Sequence, residues 1–148
     1  MTHQNLSNQT RLCIAALTGL VGLVTAFAMT ELGGNLRHML PDTGFHLAAM
    51  IGAGVAGFVF ADGFGRPGGK GMLWAALSAI GATLAGSGLG AMLILPLPHA
   101  QMGVFVFGWV TLAEAATHSF LSVKLWVAAM VMLHLATAKL RHQAEISP

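Results

Sequence analysis

Charge is scarce in this sequence. Asp, Glu, Lys and Arg make up 8% of its 148 residues, against about a quarter in soluble domains. Hydrophobic residues make up 55%, more than a water-soluble chain of this length has reason to carry. Tyrosine is absent, which leaves three Trp and eight Phe to serve as aromatic anchors at a membrane interface. The single cysteine, Cys13, excludes an intrachain disulfide and a cysteine-rich metal site. No acid occurs between Asp62 and Glu114. Long polar linkers are also missing, so residues 1–148 read as one membrane domain. The net charge is only +2, and the basic residues sit at the ends of apolar runs. That pattern speaks for sidedness and against nucleic acid as a partner.

What the chain does contain is a series of apolar runs. Gly71 to Leu95 carries no charge and is long enough to cross a bilayer core. Its small residues recur every fourth position, Ser78, Ala82, Gly86 and Gly90 on one row and Ala75, Ala79, Thr83, Ser87 and Ala91 on the next. Such a face lets helices approach closely in lipid, where packing must supply the attraction. Residues 45–61 supply a second small-residue surface, Gly52, Gly54, Ala56 and Gly57, and the Ser78 to Gly90 ridge has either Gly54 and Gly57 or another subunit as its partner. Residues 12–32 and 119–140 complete four expected spans. An alternative for the first is a signal peptide cut after Ala26-Phe27-Ala28, but its apolar character continues past that point. Met102 to Thr117 is short and contains Glu114, which suits a re-entrant or interfacial helix. The expected fold is therefore all-α, a bundle of four transmembrane helices plus one short helix, with the lipid bilayer as its first partner.

Charge then sets sidedness. With four spans, Arg11, Arg66, Lys70, Lys139 and Arg141 share one side, and Arg37 and Lys124 fall on the other. The positive-inside rule makes the first side cytoplasmic, with both termini there. Between the second and third spans lies ADGFGRPGGKG, in which Gly63, Gly65 and Gly68 fit G-x-G-x-x-G. A dinucleotide fingerprint needs a preceding strand and an acid some twenty positions on; neither is present. Gly71 stands where a P-loop has Ser or Thr after Lys70. The segment reads as a turn.

On the other side the same topology gathers His38, His46, His99 and His118 with Glu31 and Glu114. Imidazole and carboxylate together are ligands for Zn, Cu or Fe, so a metal ion is the one cofactor this cluster admits. None of these residues has the tight spacing of a metal-binding helix, and solvation at the lipid boundary explains them equally. Glu114 and Lys124 are expected to form a buried ion pair between the short helix and the last span. A bis-His haem is disfavoured, because His134 has no His at matching depth on another span. Gly34-Asn35-Leu36-Arg37-His38 is slightly similar to the G-x-R-H patch of succinate-dehydrogenase cytochrome b subunits, but the flanking helix order differs.

The turn Leu40-Pro41-Asp42-Thr43-Gly44, the glycine-rich Ile51 to Gly57 and the basic end Lys139 to His142 together resemble the layout of TrgA-type small membrane proteins, associated with tellurite resistance in alphaproteobacteria. The chain departs from that layout after the third span, where a charged stretch is missing. The resemblance implies a bacterial inner-membrane protein and supplies no catalytic residues. Three functions remain in view. The first is a non-enzymatic packing or accessory subunit, as a homo-oligomer or within a larger complex. The second is a small transporter or a metal- or oxyanion-handling resistance protein using the His/Glu cluster. The third is a haem- or quinone-binding anchor. In a Cys13→Ser background, Asn5→Cys and Ser147→Cys should resist an impermeant thiol reagent in spheroplasts, while Thr43→Cys labels. Labelling of Ser147→Cys but not Thr43→Cys would overturn the four-span assignment.

Overall fold

Ser7 opens the first helix by capping it: its Oγ accepts the Thr10 amide at 3.2 Å, satisfying one of the donors that a helix start leaves unpaired. The computed structural model describes residues 6–32, 44–94, 102–118 and 120–146. Among them every regular element is helical: α1 Asn8–Leu32, α2 Gly44–Val59, a 3-10 turn Ala61–Gly63, α3 Gly68–Ile94, α4 Met102–His118 and α5 Phe120–Ile146. Among the described residues three stretches are long and apolar enough to cross a membrane, Asn8–Glu31, Gly68–Ile94 and Phe120–Gln143. Helices α2 and α4 have 16 and 17 residues, about 24–26 Å at the helical rise, a little short of a core of about 30 Å. Helix α3 starts at Gly68 and takes in the end of the glycine segment assigned to a turn. Helix α1 runs unbroken through Ala26-Phe27-Ala28, with Ala26 buried.

Helix α2 lies between α1 and α3; α4 packs on α3, and α5 on α1. The large apolar side chains point outward, among them Leu20 and Val24 on α1, Leu73 and Leu77 on α3, and Met132 and Leu135 on α5. The interior is made mostly of small residues instead, including Ala48, Ala56, Ala79 and Ala82, with Ile14, Met29, Phe64 and Leu133 as its larger members. This inversion of the water-soluble pattern is what a lipid solvent requires, since tails solvate Leu as well as Leu does.

Side-chain-free backbone makes the central contacts. A Cβ on Gly52 would overlap the Gly86 carbonyl and press on Gly90 N at 2.8 Å. One on Gly86 would meet Ala53 Cα at 3.0 Å, and one on Gly90 the Ala48 carbonyl at 3.2 Å. The ridge Ser78, Ala82, Gly86, Gly90 is buried, and its glycines abut α2 of the same chain. Gly54 and Gly57, however, are not their partners. Gly54 faces Ala15 and Gly19 of α1, and Gly57 faces Thr18. The reason is rotation: two residues along a helix turn the direction by about 200°, so Gly52 and Gly54 serve opposite neighbours. Gly22 completes the α1 side against Ala49 and Ala53.

Gly52→Ala should therefore cost about 1–3 kcal/mol through overpacking. Gly54→Ala, whose Cβ would sit at an ordinary 3.4 Å from Ala15 O, should be neutral or stabilising. Thermal unfolding of both variants in one detergent checks this, and equal melting temperatures would refute the backbone contact.

Candidate functional site

The segment between α2 and α3 is docked into the protein rather than looping free. Phe64 is 0% exposed and packs with Ile14, Ala75, Ala79 and Leu133. The chain can turn there because Gly65 takes φ 72° and Gly68 φ 78°, which glycine adopts without steric cost. A side chain at Gly65 would also run into the Thr137 backbone at 2.7 Å. The Gly65 amide donates to Nδ1 of His134 at 3.1 Å, so in the neutral ring the proton sits on Nε2.

Three arginines close this end of the bundle, each from a different part of the chain. Arg11 of α1 pairs through Nη2 with Asp62 Oδ2 at 2.5 Å. Arg66 donates from Nε to the Asp62 carbonyl at 2.7 Å. Arg141 of α5 donates from Nη2 to that same carbonyl at 3.1 Å and from Nε to the Phe64 carbonyl at 2.9 Å. The Arg66 guanidinium also lies 5.5 Å from the centre of the Trp74 ring. The start of α1, the turn before α3 and the last part of α5 thus meet at one end.

Deeper in the bundle a partly enclosed cavity of about 100 Å³ is bounded by residues of all five helices. Among the described residues no Asp, Glu, Lys, Arg or His lines it. Three of its four hydroxyls are engaged locally: Thr18 donates to the Ile14 carbonyl at 2.7 Å, Thr83 to Ala79 at 2.7 Å and Ser87 to Leu84 at 3.0 Å; Thr25 is the fourth. Trp126 donates its indole N–H to Thr83 Oγ1 at 3.0 Å, and Trp109 to the Leu84 carbonyl at 2.9 Å. Of the three tryptophans expected as interface anchors, only Trp74 is free of such an interhelical bond and sits beside an arginine at a helix start.

The residues expected to form a metal cluster fare differently. His38 and His99 lie outside the described residues, as does the side chain of His118. His46 stacks on Phe27 with ring centres 4.0 Å apart, and its Nε2 is 3.2 Å from Thr30 Oγ1. Glu31 and Glu114 are exposed. Among the described residues no group of three His, Cys, Asp or Glu is placed to hold a metal ion. The expected buried pair is corrected: Glu114 and Lys124 both lie on the exterior, and the Lys124 ammonium sits 4.7 Å from the Phe120 ring centre.

The chain matches no protein-family model, no curated protein and no solved structure. The arginine-closed end is therefore judged on its geometry. By sequence Arg11, Arg66 and Arg141 share one side as markers of orientation. The signal that they converge, a lone acid among them at Asp62, was present in the sequence.

Removing the clamp should loosen this end. Arg141→Gln forfeits two charge-assisted bonds and should cost about 1.5–3 kcal/mol; His134→Ala leaves the Gly65 amide without its acceptor, for about 1–3 kcal/mol. Both should lower the melting temperature and speed tryptic cleavage after Lys70. Unchanged cleavage in both would mean that the segment is not docked.

Proposed function

We propose that this protein is a bacterial inner-membrane protein of four spans, with α2 as the fourth and α4 re-entrant, that serves as a non-enzymatic packing or accessory subunit. The observation that carries the reading is the character of the five-helix cavity. A path for ions or polar solutes needs groups that replace hydration water. Here the described lining is apolar, and the hydroxyls of Thr18, Thr83 and Ser87 already donate to nearby carbonyls.

Sidedness with both termini in the cytoplasm is supported by the arginine-closed end, which brings together the start of α1 and the last turns of α5. The small-residue faces on α1, α2 and α3 meet one another, so contacts with other subunits fall to the outward leucine, valine and phenylalanine surfaces. That shifts the expected intermolecular contact from the glycine ridge to the exterior of α3 and α5, where Leu77 and Leu125 are exposed.

A photoreactive amino acid placed singly at Leu20, Ile51, Leu77 and Leu125 in living cells tests this. A packing subunit should give a protein adduct of fixed size at one or two adjacent positions and lipid adducts at the rest. Lipid adducts alone at all four positions would contradict the proposal.

A further inference from the structure

Helix α4 leans on α3 and α5 on α1, and the cavity of about 100 Å³ lies between the two pairs. Its wall on α1 runs from Thr18 to Met29 and its wall on α3 from Ala82 to Ile94, about 17–18 Å at the helical rise. One leaflet of a hydrocarbon core of about 30 Å has nearly that depth, about 15 Å. The cavity begins near the middle of α1 and reaches the end of the bundle remote from the arginines. At its inner end the Trp126 indole N–H, bonded to Thr83 Oγ1 at 3.0 Å, ties α5 to α3. Backbone contacts of Gly52 with Gly86 and Gly90 fix the spacing of α2 and α3, so those two walls hold their distance.

The lining selects what fills this space. Water needs two to four polar partners to settle in a cavity, and Thr18, Thr83 and Ser87 have spent their hydroxyls on helix carbonyls. An empty space forfeits the dispersion contacts of its walls. At this depth the molecules at hand are hydrocarbon chains, to which the flexible thioethers of Met29 and Met130 can adapt. We infer that the cavity binds one acyl chain of a membrane lipid, taken from the leaflet remote from the arginines, with its terminal methyl towards Thr18 and Thr83. The inference requires only that the bundle stands in a bilayer, and holds whether or not the protein serves as a packing subunit.

Photolabelling of the intact protein in phosphatidylcholine vesicles, with a diazirine carried on the acyl chain, tests the site. Met29, Ala82 and Ala91 are wall residues that are 5%, 1% and 7% exposed, out of reach of lipid that merely surrounds the bundle. A diazirine near the terminal methyl should mark Ala82, and one close to the ester should mark Met29 or Ala91. Thr25→Leu narrows the cavity from α1 and Met130→Phe narrows it from α5. Each should lose most of the wall adducts, while adducts on the outward Leu73 and Leu77 persist. Adducts confined to outward side chains in the parent protein would overturn the inference. So would wall adducts undiminished in a variant that keeps the parent's melting transition.

Discussion

Backbone meeting backbone at Gly52, Gly86 and Gly90 is the contact on which the rest of this structure depends. Helices in lipid gain little from burying leucine, so adhesion must come from dispersion between closely set atoms, which falls off steeply with separation. A Cβ on Gly52 has nowhere to go. Helix α2 presents one such face to α3 and another to α1, and both neighbours answer with Gly, Ala or Thr. A helix of 16 residues is thereby set between two longer ones, with its position fixed by shape rather than by charge.

Once α2 is seated, the short connection to α3 has to turn inside the bundle's end, and the chemistry found there follows. Phe64 fills the space between α1, α3 and α5. Turning the backbone beside it leaves the Asp62 and Phe64 carbonyls needing donors, which Arg66 and Arg141 supply. The positive φ at Gly65 aims its amide at His134. Arginines that mark orientation in any membrane protein here also close the fold.

Much of the helical plan was legible because hydropathy and charge position are read one segment at a time. The long runs, the small-residue ridge on α3 and the side shared by Arg11, Arg66 and Arg141 all fall in that class. The pairing of faces did not. Gly52, Gly54 and Gly57 look alike in sequence, and only the angular position of each on α2 decides which neighbour it meets. The glycine segment was read as a turn, and its residues do turn. Its docking depends on Phe64 and His134, which are 70 residues apart in sequence and give no local sign of contact. Trp126 misled for a similar reason: an indole suits an interface, but in the bundle Thr83 offers its N–H an acceptor. Of the polar cluster expected at the other end, His46 is accounted for by Phe27 and Thr30, ordinary partners that composition cannot single out.

The central claim, that α2 is held between α1 and α3 of its own chain, is most directly tested by paired cysteines in a Cys13→Ser background. Gly19→Cys with Met50→Cys joins α1 to α2 where a Cβ on Gly19 would sit 3.6 Å from the Met50 side chain, within the reach of a disulfide. Mild oxidation in native membranes should give an intramolecular disulfide, seen on a non-reducing gel as a shift at monomer size. Formation of a disulfide-linked dimer instead, or of no disulfide while a control thiol oxidises, would contradict it.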